Sequence, residues 1–221
     1  AMISRYNSHG LTWVDLESPT PEEVVHIVEE FSLPGFVGEE LSTTSLRSKV
    51  DLYDNFIYLI LHFPVIDQKS STHVEQEIDF IIGKNFLITT RYQLIDPLHE
   101  FSKFFETDHF IDRDRASHHG GFIFMQMMKE FYKRSLTELE HTTKSIKEIE
   151  YGIFANKETA MVRKISQISR RLLDFKQAIR FHKDILKSYE SASTRLFGGE
   201  YGYYAEIITS EFNKVDNLLE G

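Results

Sequence analysis

Between Ile165 and Tyr189 the residues Ile165, Ile168, Leu172, Phe175, Ile179, His182, Leu186 and Tyr189 recur three and four positions apart. That is the heptad spacing of a coiled-coil seam. It holds the chain to helix, because a strand would throw neighbouring members onto opposite faces. A seam also requires a partner. Upstream, Leu136, Leu139, Thr143, Ile146 and Ile153 form a stripe that breaks near "YGIFANKE", at Gly152 and Asn156. Two long helices joined by so short a break are expected to fold back as an antiparallel hairpin.

The first half of the chain has a different period. "LTWVDLE" sets Leu11, Trp13, Val14 and Leu16 among polar residues and reads as a short strand ended by Ser18-Pro19. A helix follows with ordered start signals: Thr20 as N-cap, Pro21 at the first helical position, and Glu22 and Glu23 at the positive end of the helix dipole. Val24, Ile27, Val28 and Phe31 give it one apolar face, Pro34-Gly35 ends it, and a short second helix is expected from Phe36 to Leu41. In "KVDLYDNFIYLILHF" both faces are apolar from Phe56 to Leu61, so this strand needs cover on both sides. "VEQEIDFIIG" and "NFLITTRY" read as two more strands joined across Gly83-Lys84-Asn85. "DPLHEFSKFFE" returns to helical spacing through Leu98, Phe101, Phe104 and Phe105. The expected fold class is therefore α+β, a mixed β-sheet with helices packed on both faces, followed by the long helical hairpin.

"SASTRLFGGEYG" is expected to interrupt helicity, which then resumes with Tyr204, Ile208, Val215 and Leu218 on a seam that also contains Glu211. This last helix meets no Pro or Gly stop before Gly221, the pattern of a helix cut in mid-course. The chain has 221 residues, a formal net charge of -9 and no cysteine. An acidic surface disfavours nucleic acid and anionic lipid and suits cations, and the lack of thiols excludes disulfides and thiolate metal sites. No signal peptide is expected. The longest apolar run, "FIYLILHFPVI", falls well short of the ~20 residues of a membrane helix.

Candidate chemistry is sparse. The ten histidines include no His-Glu-x-x-His spacing. His118 and His119 are expected to be solvated, and His182, on the seam, to be a hydrogen-bonded core histidine. Phosphate loops, dinucleotide fingerprints and nucleophile elbows are absent, and Arg170 and Arg171 fit outward-facing positions, so no enzyme is expected. Acidic positions remain: Glu39 and Glu40 in "GEEL", and Glu206 and Glu211 on the last helix. Carboxylates brought together repel, and a hard cation such as Mg²⁺ relieves this.

The order of motifs adds a resemblance. "WVDLESPTPEEVVHIVEEFSL", "GEELSTTSLRSKVDLYDNFIYLIL", "EQEIDFIIGKNFLITT" and then "ISQISRRLLDFKQAIRFHKDIL" within two long helices resembles the cytoplasmic part of the CorA-type divalent cation transporters. The resemblance implies an α/β domain over 2–115, a helical hairpin and connector over 116–199, and from 200 to 221 the start of a stalk helix leading to a membrane domain that this sequence does not contain. It implies a regulatory divalent cation, Mg²⁺ or, in the zinc-transporting branch, Zn²⁺, held between subunits of a homopentamer. The family's acidic motif maps onto Glu39 and Glu40, with Glu40 where the family has Asp, and its stalk acid onto Glu206. "Pro-Gly-Phe" at 34–36 and "Arg-Ser-Lys" at 47–49 depart from the family's "His-Pro-Leu" and "Arg-Pro-Lys". The implied function is the sensor and gating domain of a Mg²⁺ or related transporter, on the cytoplasmic side of the inner membrane, with no nucleic-acid partner. A reading of another class is a soluble adaptor whose hairpin, Phe122 to Tyr189, binds a partner helix. A hydrolase built on a carboxylate pair would need a cleft holding two acids with displaced pKa values.

Overall fold

The computed structural model describes residues 2–8, 10–66, 73–92, 96–106, 119–155 and 158–221. Six strands form one sheet: β1 (Met2–Ser8), β2 (Leu11–Glu17), β3 (Lys49–Leu52), β4 (Phe56–Ile66), β5 (His73–Gly83) and β6 (Phe86–Arg91). Their order across the sheet is β1-β2-β6-β5-β4-β3, with β2 and β6 parallel and every other pair antiparallel. The helices are α1 (Pro21–Glu30), α2 (Gly35–Leu41), α3 (Asp96–Glu106), α4 (Gly120–Phe154), α5 (Glu158–Ile179), α6 (His182–Phe197) and α7 (Gly202–Glu220). The boundary expected at 115–116, His118 and Asn156 lie outside the described residues.

Alternation along the strands divides the core in two. Trp13, Ile57, Leu59, Leu61, Ile78, Phe80 and Leu87 face α3, α4, α6 and α7, while Val14, Leu16, Tyr58, Ile60, Ile81 and Ile88 face α1 and α2. This is the two-sided cover that the dry stretch of β4 demands. α1 begins as its residues require, with the Thr20 hydroxyl accepting from the Glu23 N–H at 3.2 Å and Pro21 at the first turn. The β5–β6 turn falls at Lys84-Asn85, next to the expected Gly83. β1 has no counterpart in the sequence reading. It is an edge strand with a half-exposed pattern, and its main apolar anchor is Tyr6, whose ring stacks on Trp13 at 4.8 Å.

The helical half departs from expectation in three places. The seam does not stay on one helix: α5 ends at Ile179, and Arg180 and Phe181 form a turn before α6. Ile168 packs with Ile149 and Met161 at the α4–α5 end, whereas Phe175, Ile179, Leu186 and Tyr189 join the core against the sheet and α7. Ile165, without cover, is 43% exposed. Second, Gly152 lies inside α4 rather than ending it, and a Cβ there would come within 2.3 Å of Met161 Sδ, so glycine is what lets α5 approach. Third, α6 runs through Ser191–Phe197 and stops at Gly198, φ 100°. Ser193 and Thr194 turn their hydroxyls onto the Glu190 carbonyl at 3.1 and 3.0 Å, so both are satisfied inside the helix. No helix among the described residues is long and apolar enough to cross a membrane.

Candidate metal centre

The expected metal-binding acids occupy two separate places. Glu39 and Glu40 form the last turn of α2, where Glu39 is exposed and Glu40 half-buried. Glu40 is ion-paired to Lys49 of β3, whose Nζ also lies 2.7 Å from Asp51 Oδ2 and 4.5 Å from the centre of the Tyr58 ring. Glu206 is exposed on α7 and lines a groove of about 410 Å³ with Glu190 of α6 and Thr209, Ser210, Asn213, Lys214 and Asn217. That groove contains neither Glu39 nor Glu40. Glu211 is paired to Lys214 at 3.2 Å. Among the described residues no group of three or more His, Asp or Glu is arranged to hold a metal. The donors are all carboxylate oxygens, the right chemistry for a hard cation. Within one chain they do not form a cage.

The other histidine and arginine expectations are simpler. His119 stacks on Phe197 with ring centres 4.1 Å apart, and Arg170 and Arg171 are exposed. His182 is a core histidine. Its Nε2 lies 2.6 Å from the His62 carbonyl, which can only accept, so Nε2 carries the proton and Nδ1 accepts from the Tyr132 hydroxyl at 2.7 Å. Burial pushes its pKa down to about 4.

The sheet also buries carboxylates that the sequence reading passed over. On the helical face Asp15 accepts from Arg91 Nε at 3.0 Å and from the Thr89 hydroxyl at 2.8 Å, a paired and bonded arrangement. On the α1/α2 face Glu77 is 7% exposed and Asp79 fully buried. Glu77 Oε1 accepts the Ser45 N–H at 2.7 Å, yet burial pushes its pKa up to about 7. Asp79 Oδ2 accepts from the Tyr58 hydroxyl; burial first, and the charge of Glu77 second, push its pKa well up. Tyr92, whose oxygen sits 2.9 Å from the Thr43 carbonyl and 3.1 Å from that of Leu41, ties the end of α2 over this region. The sequence alone did not show this: β4 is dry on both faces, but its other neighbour β3 stays half-exposed, so burial of both faces of β5 does not follow from β4.

A sheet covered on both faces thus hands off to a long helix pair and a terminal helix, and the candidate acids lie apart among the described residues. The solved soluble domain of CorA from Methanocaldococcus jannaschii shares this fold with a TM-score of 0.75 at 16% identity, over 96% of this chain and 85% of that one. The chain belongs to the CorA-like Mg2+ transporter protein family, whose model matches residues 8–220. The cobalt/magnesium transport protein CorA of Thermotoga maritima is 20% identical over 181 residues, 80% of this chain. The chain spans about half of that relative's length, 50%. The ZntB cytoplasmic domain from Vibrio parahaemolyticus is similar with a TM-score of 0.58 at 18% identity, over 95% of this chain and 82% of that one.

Proposed function

We propose that this chain is the cytoplasmic regulatory and gating domain of a divalent-cation transporter, with Mg²⁺ as the regulatory ion. Residues 2–115 would be its α/β domain, 116–199 the hairpin and connector, and 200–221 the top of a stalk helix leading to the membrane. The observation that carries this reading is the family match over residues 8–220. In it, Glu40 of one subunit and Glu206 of the next share a cation, and a homopentamer is the assembly that would bring them together. The separation of these acids within one chain, Glu40 on the α2 side and Glu206 in the α6–α7 groove, is what a site between chains requires. Glu39, exposed beside Glu40, is available as a further donor.

The cation has to compete with Lys49 for Glu40, because the same carboxylate is ion-paired inside the chain. Losing the cation leaves acids facing one another across the interface, and the ring loosens; the gate is thus a population shift driven by differential binding. Sedimentation across a Mg²⁺ titration tests this. Association should rise with Mg²⁺, vanish in the Glu40→Ala/Glu206→Ala double variant, and set in at lower Mg²⁺ in Lys49→Met. Association that ignores Mg²⁺ or survives the double variant would refute the assignment. Zn²⁺ as the ion is the second reading, supported by the likeness to the ZntB domain; a parallel Zn²⁺ titration that acts at far lower concentration through the same two acids would favour it.

A further inference from the structure

Glu77 and Asp79 are alternate residues of β5 and point to the face covered by α1 and α2, the face of Ile81. Thr90, fully buried, is the partner of Asp79 across the β5–β6 ladder, so its side chain emerges on that same face. Each of the three has one buried oxygen without a hydrogen-bond partner: Glu77 Oε2, Asp79 Oδ1 and Thr90 Oγ1. The neighbouring donors are already committed. The Ser45 N–H goes to Glu77 Oε1 and the Tyr58 hydroxyl to Asp79 Oδ2. The His62 ring, opposite Glu77 on β4, is held by the Ser45 carbonyl at 2.8 Å and the Ser48 hydroxyl at 3.2 Å. Lys49, a cation whose charge reaches Asp79, holds Glu40 and Asp51 instead.

Buried oxygens left in this state are strongly unfavourable, two carboxylates side by side most of all. Asp15 on the opposite face shows how the same sheet treats a buried acid meant for structure alone: it is given an arginine and a hydroxyl. Glu77 and Asp79 are given neither arginine nor lysine among the described residues. What is missing has the form of a positive charge that seeks oxygen. Nitrogen and sulfur donors are absent from the three orphaned atoms, which selects hard ions, and two carboxylates match a charge of two.

We propose that Glu77, Asp79 and Thr90 form a second cation site inside a single chain, beneath the 42–48 segment, taking a hard divalent ion of the Mg²⁺ class. The site differs from the Glu40–Glu206 clamp in needing one chain rather than two. Its third donor is a hydroxyl, so it is not a cluster of three acids. Ser45, which ties the 42–48 segment to Glu77, makes that segment its cover. The segment leads directly out of α2, so occupancy beneath it also steadies the turn that carries Glu39 and Glu40.

Thermal unfolding of the 221-residue chain, diluted until monomeric, tests the site with Mg²⁺, Mn²⁺ or a chelator. Mg²⁺ should raise the midpoint by roughly 5 to 10 °C at a hundredfold excess over its dissociation constant. The rise should be lost in Asp79→Asn and Glu77→Gln, be weakened in Thr90→Val, and persist in Glu40→Ala/Glu206→Ala. Loss in the last variant with retention in Asp79→Asn, or no response to either ion, overturns the site. A measurement on the unaltered chain guards against variants that misfold. Mn²⁺ should broaden the backbone amide signals of Ser45, Asp79 and Thr90 first; broadening confined to α7 overturns the proposal while leaving the intersubunit clamp standing.

Discussion

The two faces of the sheet bury ionisable groups under opposite rules. On the helical face His182 is fully buried, and both ring nitrogens are bonded, one to Tyr132 and one to the His62 carbonyl. On the α1/α2 face Glu77 and Asp79 are buried too, but each keeps an oxygen without a partner. A satisfied group holds two elements in register and has nothing left to offer a ligand. An unsatisfied one costs stability until something arrives. His62 stands between the two regimes: its carbonyl meets His182 on one side of β4, while its ring holds Ser45 and Ser48 beside Glu77 on the other.

The largest effect should come from breaking the satisfied centre. His182→Ala removes the ring and leaves the Tyr132 hydroxyl and the His62 carbonyl buried without their partner, for a loss of about 4 kcal/mol in urea-induced unfolding. Asp79→Asn, at the other centre, keeps an acceptor for Tyr58 and removes a buried acid, so in chelator at neutral pH it should stabilise the chain by about 1 kcal/mol. If both variants destabilise equally, the contrast between the faces is wrong.

Acidity separates the two centres by sign. The pKa of His182 lies below its ordinary value, at about 4, so its contribution is present above pH ~6.5 and is lost as the pH falls through the folded value, about 3 kcal/mol in all. Glu77 is displaced upward, to about 7, so its contribution is present below the ordinary glutamate range and is lost as the pH rises through 7. In chelator the slope of His182 opposes those of Glu77 and Asp79, whose pKa burial also pushes up. The Glu77→Gln/Asp79→Asn double variant should unmask stability that climbs with pH, and His182→Gln stability that declines with it. Unfolding midpoints at a series of pH values check both; parallel profiles would show that neither group titrates as its surroundings dictate.

The same contrast explains what could be read from the sequence. α1 was legible because its signals are local: Thr20, Pro21 and the acids of the first turn act within four residues. β4 announced itself by being apolar on both faces. β1 was not legible, because an edge strand needs little burial and "MISRYNS" shows little. The seam crosses the turn at Arg180 and Phe181 without losing register, so spacing alone could not show that its cover changes from α4 to the sheet. Alternating acids in "EQEID" read as a solvent face until α1 and α2 are seen to lie over them. Glu39, Glu40, Glu206 and Glu211 stand out as acidic positions, but only the family resemblance pairs Glu40 with Glu206, since local charge gives no reason to prefer them among 34 acids.

Smaller effects test whether burial, rather than charge itself, sets these costs. Tyr58→Phe removes the one hydroxyl bonded to Asp79 and should cost about 1 kcal/mol in chelator, less once Mg²⁺ is added. Arg5→Ala supplies the matching control on the same side of the sheet. The Arg5–Glu30 pair links β1 to α1 with both side chains more than a third exposed, at 37% and 36%. Bidentate geometry pulls the Glu30 pKa down, but water and salt screen the pair, so its loss should cost roughly 0.5 kcal/mol and less in high salt. Were Arg5→Ala the costlier of the two, an exposed ion pair would outweigh a buried hydrogen bond to an acid. The unmet oxygens of Glu77 and Asp79 would then cease to be a reason to expect a ligand.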